Sequence, residues 1–161
     1  NAVDKVIISR DLPRKMEFLN LLLQSLKKYN VEILTDAKLA GLEGTTQMDN
    51  KSVWYEEFLD YKIVIGQVPD VEEAIQHINT YGGGHSAVII TKNEEEADTF
   101  MQSVDTAAVY HNASTRFTDG GQFGLGGELA ISTDKLHQRG PIGLQHLVTN
   151  KWYVKGNGQV R

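Results

Sequence analysis

Residues 61–91, YKIVIGQVPDVEEAIQHINTYGGGHSAVIIT, decide the fold. The run 61–68 reads as a strand. Pro69-Asp70 opens a helix over 71–81, and Gly82-Gly83-Gly84 ends it, as flexible glycines do at a helix C-terminus. Residues 86–91 (SAVIIT) are a second strand. A strand, a helix and a strand with no hairpin signal between them predict parallel strands joined by a crossover helix.

The same grammar extends in both directions. Residues 3–9 (VDKVIIS) are short and β-branched and read as a strand. Asp11-Leu12-Pro13 then starts a helix with the proline in its first turn. Phe18, Leu19, Leu22, Leu23 and Leu26 recur at helical spacing, which predicts an amphipathic helix over 14–29. Residues 31–34 form a short strand, 36–42 a small helix and 43–51 a polar loop. Asn93 caps a Glu-rich helix that runs through Val104, and 106–110 (TAAVY) is another strand of buried character. The expected fold is α/β: a mostly parallel open sheet with helices on both faces. Residues 1–150 make its body, and 151–161, whose KWYVKGNGQV alternates like an exposed strand, leave it.

Composition narrows the function. A chain of 161 residues can bury one core of its own. Sixteen Lys plus Arg against 21 Asp plus Glu give a net charge of −5, which argues against a nucleic-acid or anionic-membrane partner. No apolar run has bilayer-spanning length, and no secretory signal opens the chain. With no cysteine, disulfides and thiolate metal sites are excluded. These features fit a cytoplasmic protein. The start at Asn-Ala-Val, without Met and almost directly into a strand, has the look of a fragment or cleavage product.

The densest set of ligand-binding groups is NASTRFTDGGQFGLGG, residues 112–127, which follows the strand TAAVY. Ligand sites in open α/β sheets lie beyond the carboxyl ends of strands. Asn112, Ser114, Thr115 and Arg116 offer donors for a carboxylate or phosphate, and arginine can clamp either with two bonds. The glycines allow sharp turns or close backbone approach. A surface loop with a structural arginine and turn glycines is an equal reading, because the run lacks both the P-loop Lys-Ser/Thr and a full dinucleotide fingerprint. Arg139-Gly140-Pro141-Ile142-Gly143 reads as a structural sharp turn, and Glu56-Glu57 as a solvated face. His85, after three glycines, is a loop histidine or an acid/base group. His77, His85, His111, His137 and His146 lack metal-ligand spacing.

Together with ISTDKLHQRGPIGL (131–144), the 112–127 run resembles the C-terminal signature of the gamma-glutamyl phosphate reductases, a branch of the aldehyde dehydrogenase superfamily. VDKVIISRDLP resembles the segment that follows the family's nucleophilic cysteine, and VPDVEEAIQHINTYGGGHSAVIIT the helix and strand beyond it. Gly127 stands where the family has alanine. The resemblance implies NADPH-dependent reduction of gamma-glutamyl phosphate to glutamate 5-semialdehyde in proline biosynthesis, by attack of that cysteine on the acyl phosphate and hydride reduction of the thioester. In the family pattern the cysteine stands directly before Asn1. The chain alone is therefore expected to be inactive, with the Asn1 backbone N–H an oxyanion donor in the longer protein. The glutamate that contacts the nicotinamide ribose maps to Glu57, with Leu59 in place of the aromatic of that motif. Asn112, Ser114, Thr115 and Arg116 map to the substrate-closing region, and Phe123 to the pocket wall. Residues 151–160 map to an oligomerisation strand that pairs with a neighbouring subunit, which implies a homo-oligomer. Two rivals stand beside this reading: a non-catalytic α/β module for small-anion binding or assembly, and the reductase half of a bifunctional synthase fused to a glutamate kinase.

Overall fold

Four parallel strands form the main sheet of the computed structural model, which describes residues 2–160. They are β1 (Lys5–Ser9), β2 (Glu32–Thr35), β3 (Thr46–Gln47) and β4 (Lys62–Val68), in the order β1-β4-β2-β3. Ile7 lies opposite Gly66 and Leu34 opposite Val64, so β4 is flanked on both sides. Side chains alternate as the pleat requires. Ile63 and Ile65 join Ile8, Ile33 and Leu39 on one face, against Leu19 and Leu23 of helix α1 (Lys15–Lys27). Val64 and Leu34 pack on the other face with Trp54, from a short 3-10 turn (Lys51–Tyr55), and with Tyr81. Leu19, Val64 and Ile65 are 0% exposed. A one-residue slip of β4 would swap its buried sets, so burial fixes the register. Gly66 sits in this apolar run because a Cβ there would come within 2.7 Å of Trp54 Cη2.

A second parallel pair, β5 (Ser86–Ile89) and β6 (Ala108–His111), carries helices α2 (Val71–Tyr81) and α3 (Glu94–Ser103). Ile75, Ala87, Phe100 and Val104 make its core. Both helices start as their sequences specify. The Asp70 carboxylate accepts from the Glu73 N–H at 2.9 Å, and Asn93 Oδ1 accepts from the Glu95 and Glu96 N–H groups at 3.1 and 3.3 Å. Glu94, Glu95 and Glu96 lie at the positive end of the α3 dipole. The α/β class, the parallel pairing and the helices on both faces are as expected.

Several expectations are corrected. Pro13 lies outside α1: Leu12 N–H bonds the Ser9 carbonyl at 3.2 Å to make a separate turn, and Arg14, in the left-handed region at φ 52°, breaks the chain from it before Lys15. The 36–42 helix shrinks to a 3-10 turn (Ala37–Leu39) capped by Asp36, and the polar loop 43–51 contains β3. Arg139–Gly143 is not a turn. Its last four residues are β8 (Gly140–Gly143), paired antiparallel with β7 (Glu128–Ser132). Pro141, which lacks an N–H, is tolerated because β8 is an edge strand of a two-stranded ribbon. Residues 151–160, expected to leave the body, have no ladder partner among the described residues, and Trp152, Tyr153 and Val154 are 87%, 81% and 90% exposed. No helix among the described residues is long and apolar enough to cross a membrane.

Candidate functional site

The candidate residues fall at two places. The first is the loop that leads into β4, at the amino ends of β1 and β4. Trp54 anchors the preceding turn against the sheet, with its ring 4.3 Å from that of His77 in an edge-on arrangement. The chain then leaves the turn through Glu56, whose N–H bonds the Val53 carbonyl at 3.2 Å. Glu57 is exposed, Phe58 is half-buried and Leu59 is 89% exposed at φ 48°. Leu59 also lines a cleft of about 380 Å³ with Ala2, Val3, Leu26, Val31 and Tyr61. The structure thus brings the Glu57 loop beside the start of the chain. Asn1 itself lies outside the described residues.

The second place is the loop after β6. Asn112, at φ 51°, is engaged with the end of β5: its Oδ1 accepts from the Thr91 N–H at 3.1 Å and its Nδ2 donates to the Thr91 carbonyl at 2.8 Å. His111 Nε2 approaches that same carbonyl at 3.1 Å. Ser114 caps a 3-10 turn (Thr115–Phe117), its hydroxyl accepting from the Arg116 N–H at 3.3 Å. The turn presents Arg116 and Ser114 to solvent, with Thr115 half-buried. Beneath them the Tyr110 hydroxyl bonds Thr118, which is buried. Asp119 Oδ1 then accepts from the Gly121 and Gln122 N–H groups at 2.8 and 3.1 Å, and Glu128 accepts from the Gly120 N–H at 2.8 Å. Phe123 stands 56% exposed on the outside of this glycine turn. The arrangement offers an anion an arginine, a hydroxyl and a backbone with both ends pinned.

The two places lie at different strand ends: Glu57 and Leu59 at the amino ends of β1 and β4, residues 112–117 at the carboxyl ends of β5 and β6. An ion-pair cluster ties the β7–β8 ribbon to Asp105, which precedes the amino end of β6. Arg139 donates from Nη1 to Asp105 Oδ1 and from Nη2 to the Asp105 carbonyl, both at 3.0 Å, and the Lys135 ammonium joins the same carboxylate. Hydrogen bonds from Lys135 and Arg139 hold the Asp105 carboxyl below its usual range. His85, a candidate acid/base group, spends Nδ1 on the Ser86 hydroxyl at 2.8 Å.

Two groups were invisible to sequence reasoning. His77 is pressed between Trp54 and Tyr81, burial lowers its pKa below the usual 6.5, and its Nε2 is buried with no partner. Lys5 reaches from β1 to the Glu56 carbonyl at 2.8 Å. Neither follows a spacing rule, because each depends on contacts between segments distant in sequence.

Residues 47–152 match the aldehyde dehydrogenase family. A gamma-glutamyl phosphate reductase from Clostridium perfringens is 47% identical over 161 residues, 100% of this chain and 38% of that protein. The one from Dictyoglomus turgidum is 49% identical over the same span. The crystal structure of gamma-glutamyl phosphate reductase from Thermotoga maritima aligns with a TM-score of 0.85 at 42% identity, covering 98% of this chain and 38% of that one. That of Saccharomyces cerevisiae gives 0.57 at 30% identity, over 77% and 32%. The chain spans 38% of the length of these curated bacterial relatives.

Proposed function

The chain belongs to the aldehyde dehydrogenase family, and on that premise we propose that it is the C-terminal part of the catalytic domain of an NADPH-dependent gamma-glutamyl phosphate reductase. The complete enzyme reduces gamma-glutamyl phosphate to glutamate 5-semialdehyde and releases phosphate, a step of proline biosynthesis in the cytoplasm. The observation that carries this reading is identity of 47% running through all 161 residues, a span that takes in both candidate loops.

The residues of the first loop fit the nicotinamide end of a dinucleotide. Glu57 presents an exposed carboxylate, the acceptor that ribose hydroxyls need, next to an apolar cleft walled by Leu59, Ala2 and Val3. When bound, NADPH supplies the hydride. The chain's own residues bind and orient. Arg116 clamps the glutamyl carboxylate with two charge-assisted bonds, Ser114 and Thr115 add hydroxyl contacts, and Asn112 acts through the loop it anchors to Thr91. Phe123 closes over the aliphatic part of the substrate. The Asn1 N–H, next to the position the family gives its cysteine, stabilises the oxyanion. Residues 151–160 pair with a neighbouring subunit by edge addition, which covers the exposed Trp152, Tyr153 and Val154.

The test is phosphate-dependent reduction of NADP by glutamate 5-semialdehyde, catalysed by the full-length protein that carries this segment. Arg116→Ala is expected to lower kcat/KM by about a hundredfold, the size of losing a charged partner. An unchanged value removes Arg116 from the site, and no turnover by the wild-type protein removes the reductase reading. Glutamate or phosphate binding without turnover would favour a non-catalytic anion-binding module. Truncation after residue 150 is expected to shift the oligomer to smaller species on size-exclusion chromatography.

A further inference from the structure

Lys5 opens β1, and its side chain is only 17% exposed although it carries a charge. Its ammonium makes three contacts. It pairs with the Asp4 carboxylate at 2.7 Å, donates to the Glu56 carbonyl at 2.8 Å and lies 5.3 Å from the centroid of the Phe58 ring. Lys62 Nζ stands 5.2 Å from the same ring and is itself paired with Glu32 at 3.6 Å. One lysine therefore grips the residues on both sides of Glu57, the backbone of Glu56 and the ring of Phe58. Between these grips Glu57 has a fixed origin and an exposed carboxylate. The next residue, Leu59, keeps a left-handed backbone at φ 48°, a state that persists in a non-glycine residue only where its surroundings over-determine it. Asp4 offsets the charge of Lys5, so the grip does not depend on the Glu57 carboxylate.

We infer that Lys5 is a positioning residue: by holding Glu56 and Phe58 it aims Glu57 at the nicotinamide ribose. This rests on the reading of Glu57 given above, and it assigns a role to a side chain that itself touches neither substrate nor cofactor. The same contact ties the loop to the strand whose amino end the reading places beside the reacting cysteine, so cofactor and nucleophile share one support.

The experiment is a mutant cycle in the full-length protein, read by NADPH fluorescence titration, steady-state kinetics and amide exchange of residues 56–59. Lys5→Met keeps the aliphatic stem and removes the ammonium. It is expected to raise the Kd and KM for NADPH by about tenfold, within the range of coupled neighbours, leave the KM for the acyl phosphate unchanged and speed exchange at 56–59. Lys5→Arg, which can still donate to the Glu56 carbonyl, is expected to restore most of the affinity. In a Glu57→Gln background Lys5→Met should add nothing further, because Lys5 acts through Glu57. Full additivity, an unchanged Kd in Lys5→Met, or an equal rise in both KM values overturns the inference while Glu57 stands. If Glu57→Gln leaves the Kd for NADPH unchanged, the assignment of Glu57 falls and the inference with it. Failure of the wild-type protein to bind NADPH would sink the functional reading as a whole.

Discussion

The main sheet and the segment after β6 are held together by different physics. In the sheet, burial does the holding: Leu19, Val64 and Ile65 are 0% exposed, and β1, β2 and β4 each contribute to both faces. After Asn112, Thr118 and the glycines Gly120, Gly140 and Gly143 are buried, and none of them is a large apolar side chain. That segment hangs on separate point contacts: Asn112 on Thr91, Tyr110 on Thr118, Glu128 on Gly120, and Asp105 on Arg139 and Lys135. Apolar burial is non-directional and shared among many neighbours, so it stabilises the sheet as one cooperative body. Hydrogen bonds at a few points fix a shape while leaving the surface between them open to water and ligand. The contrast matches function as proposed: the sheet provides the rigid base, and the loop offers donors that a substrate can reach.

The contrast can be broken from the sheet side first. Leu19→Ala should cost about 2–5 kcal/mol and lower the main melting transition, in which α1 and the sheet unfold together. A loss confined to α1, with the sheet melting as before, would contradict cooperative packing. Gly66→Ala brings a Cβ within 2.7 Å of Trp54 and 3.2 Å of Asp36 Oδ2. It should cost about 1–3 kcal/mol and change the Trp54 emission, and unchanged emission would mean that the ring is not the obstacle.

Acid should act next, through His77. Burial, the largest influence, lowers its folded pKa; Asp36 partly opposes this, and Lys38 and Lys5 add to it. A histidine whose pKa is lower when folded takes up its proton more readily in the unfolded chain. Its contribution is therefore complete above pH 6.5 and is lost as the pH falls below that value. Protonation would also leave a buried Nε2–H without an acceptor. His77→Phe keeps a ring against Trp54 and should flatten the stability–pH curve below pH 6.5; a curve as steep as wild type would clear His77 of the effect. The smallest expected change sharpens the comparison from the other side. Asp105→Asn should speed amide exchange along β7 and β8 without moving the main melting transition, whereas a shift of that transition would show that the ribbon belongs to the cooperative core.

Legibility in the sequence follows the same division. Helix α2 runs from Val71 to Tyr81 as the sequence predicts, because Asp70, the periodic apolar face and the glycines after Tyr81 are all local signals. Strands β1, β2 and β4 of the main sheet were legible because burial on two faces demands β-branched runs, whereas β3, two exposed polar residues, was not. The β7–β8 ribbon was not. Its pairing is made by main-chain hydrogen bonds, and its path depends on Gly140 at φ 86° and on Gly143, where a Cβ would lie 3.1 Å from the Gly127 carbonyl. Those requirements select glycine and look like a turn when read along the chain. In the candidate sites, the residue types of the 112–127 run announced a polar loop. That Asn112 spends its amide on Thr91, and that Lys5 holds the Glu57 loop, depends on segments brought together only by folding.

The register of β1 has a consequence for how the protein is made. Ile7 pairs with Gly66, so β1 must wait for β4 until roughly sixty more residues have been synthesised, a wait of several seconds at ribosomal rates. Throughout that interval the edge of Val6-Ile7-Ile8 that β4 will cover stays open on the growing chain. Closure of the main sheet is therefore gated by emergence of β4, which supplies a partner of both β1 and β2 at once. Substitutions that slow translation just before Lys62 should lengthen the exposure of β1 to chaperones and to aggregation without altering the finished structure.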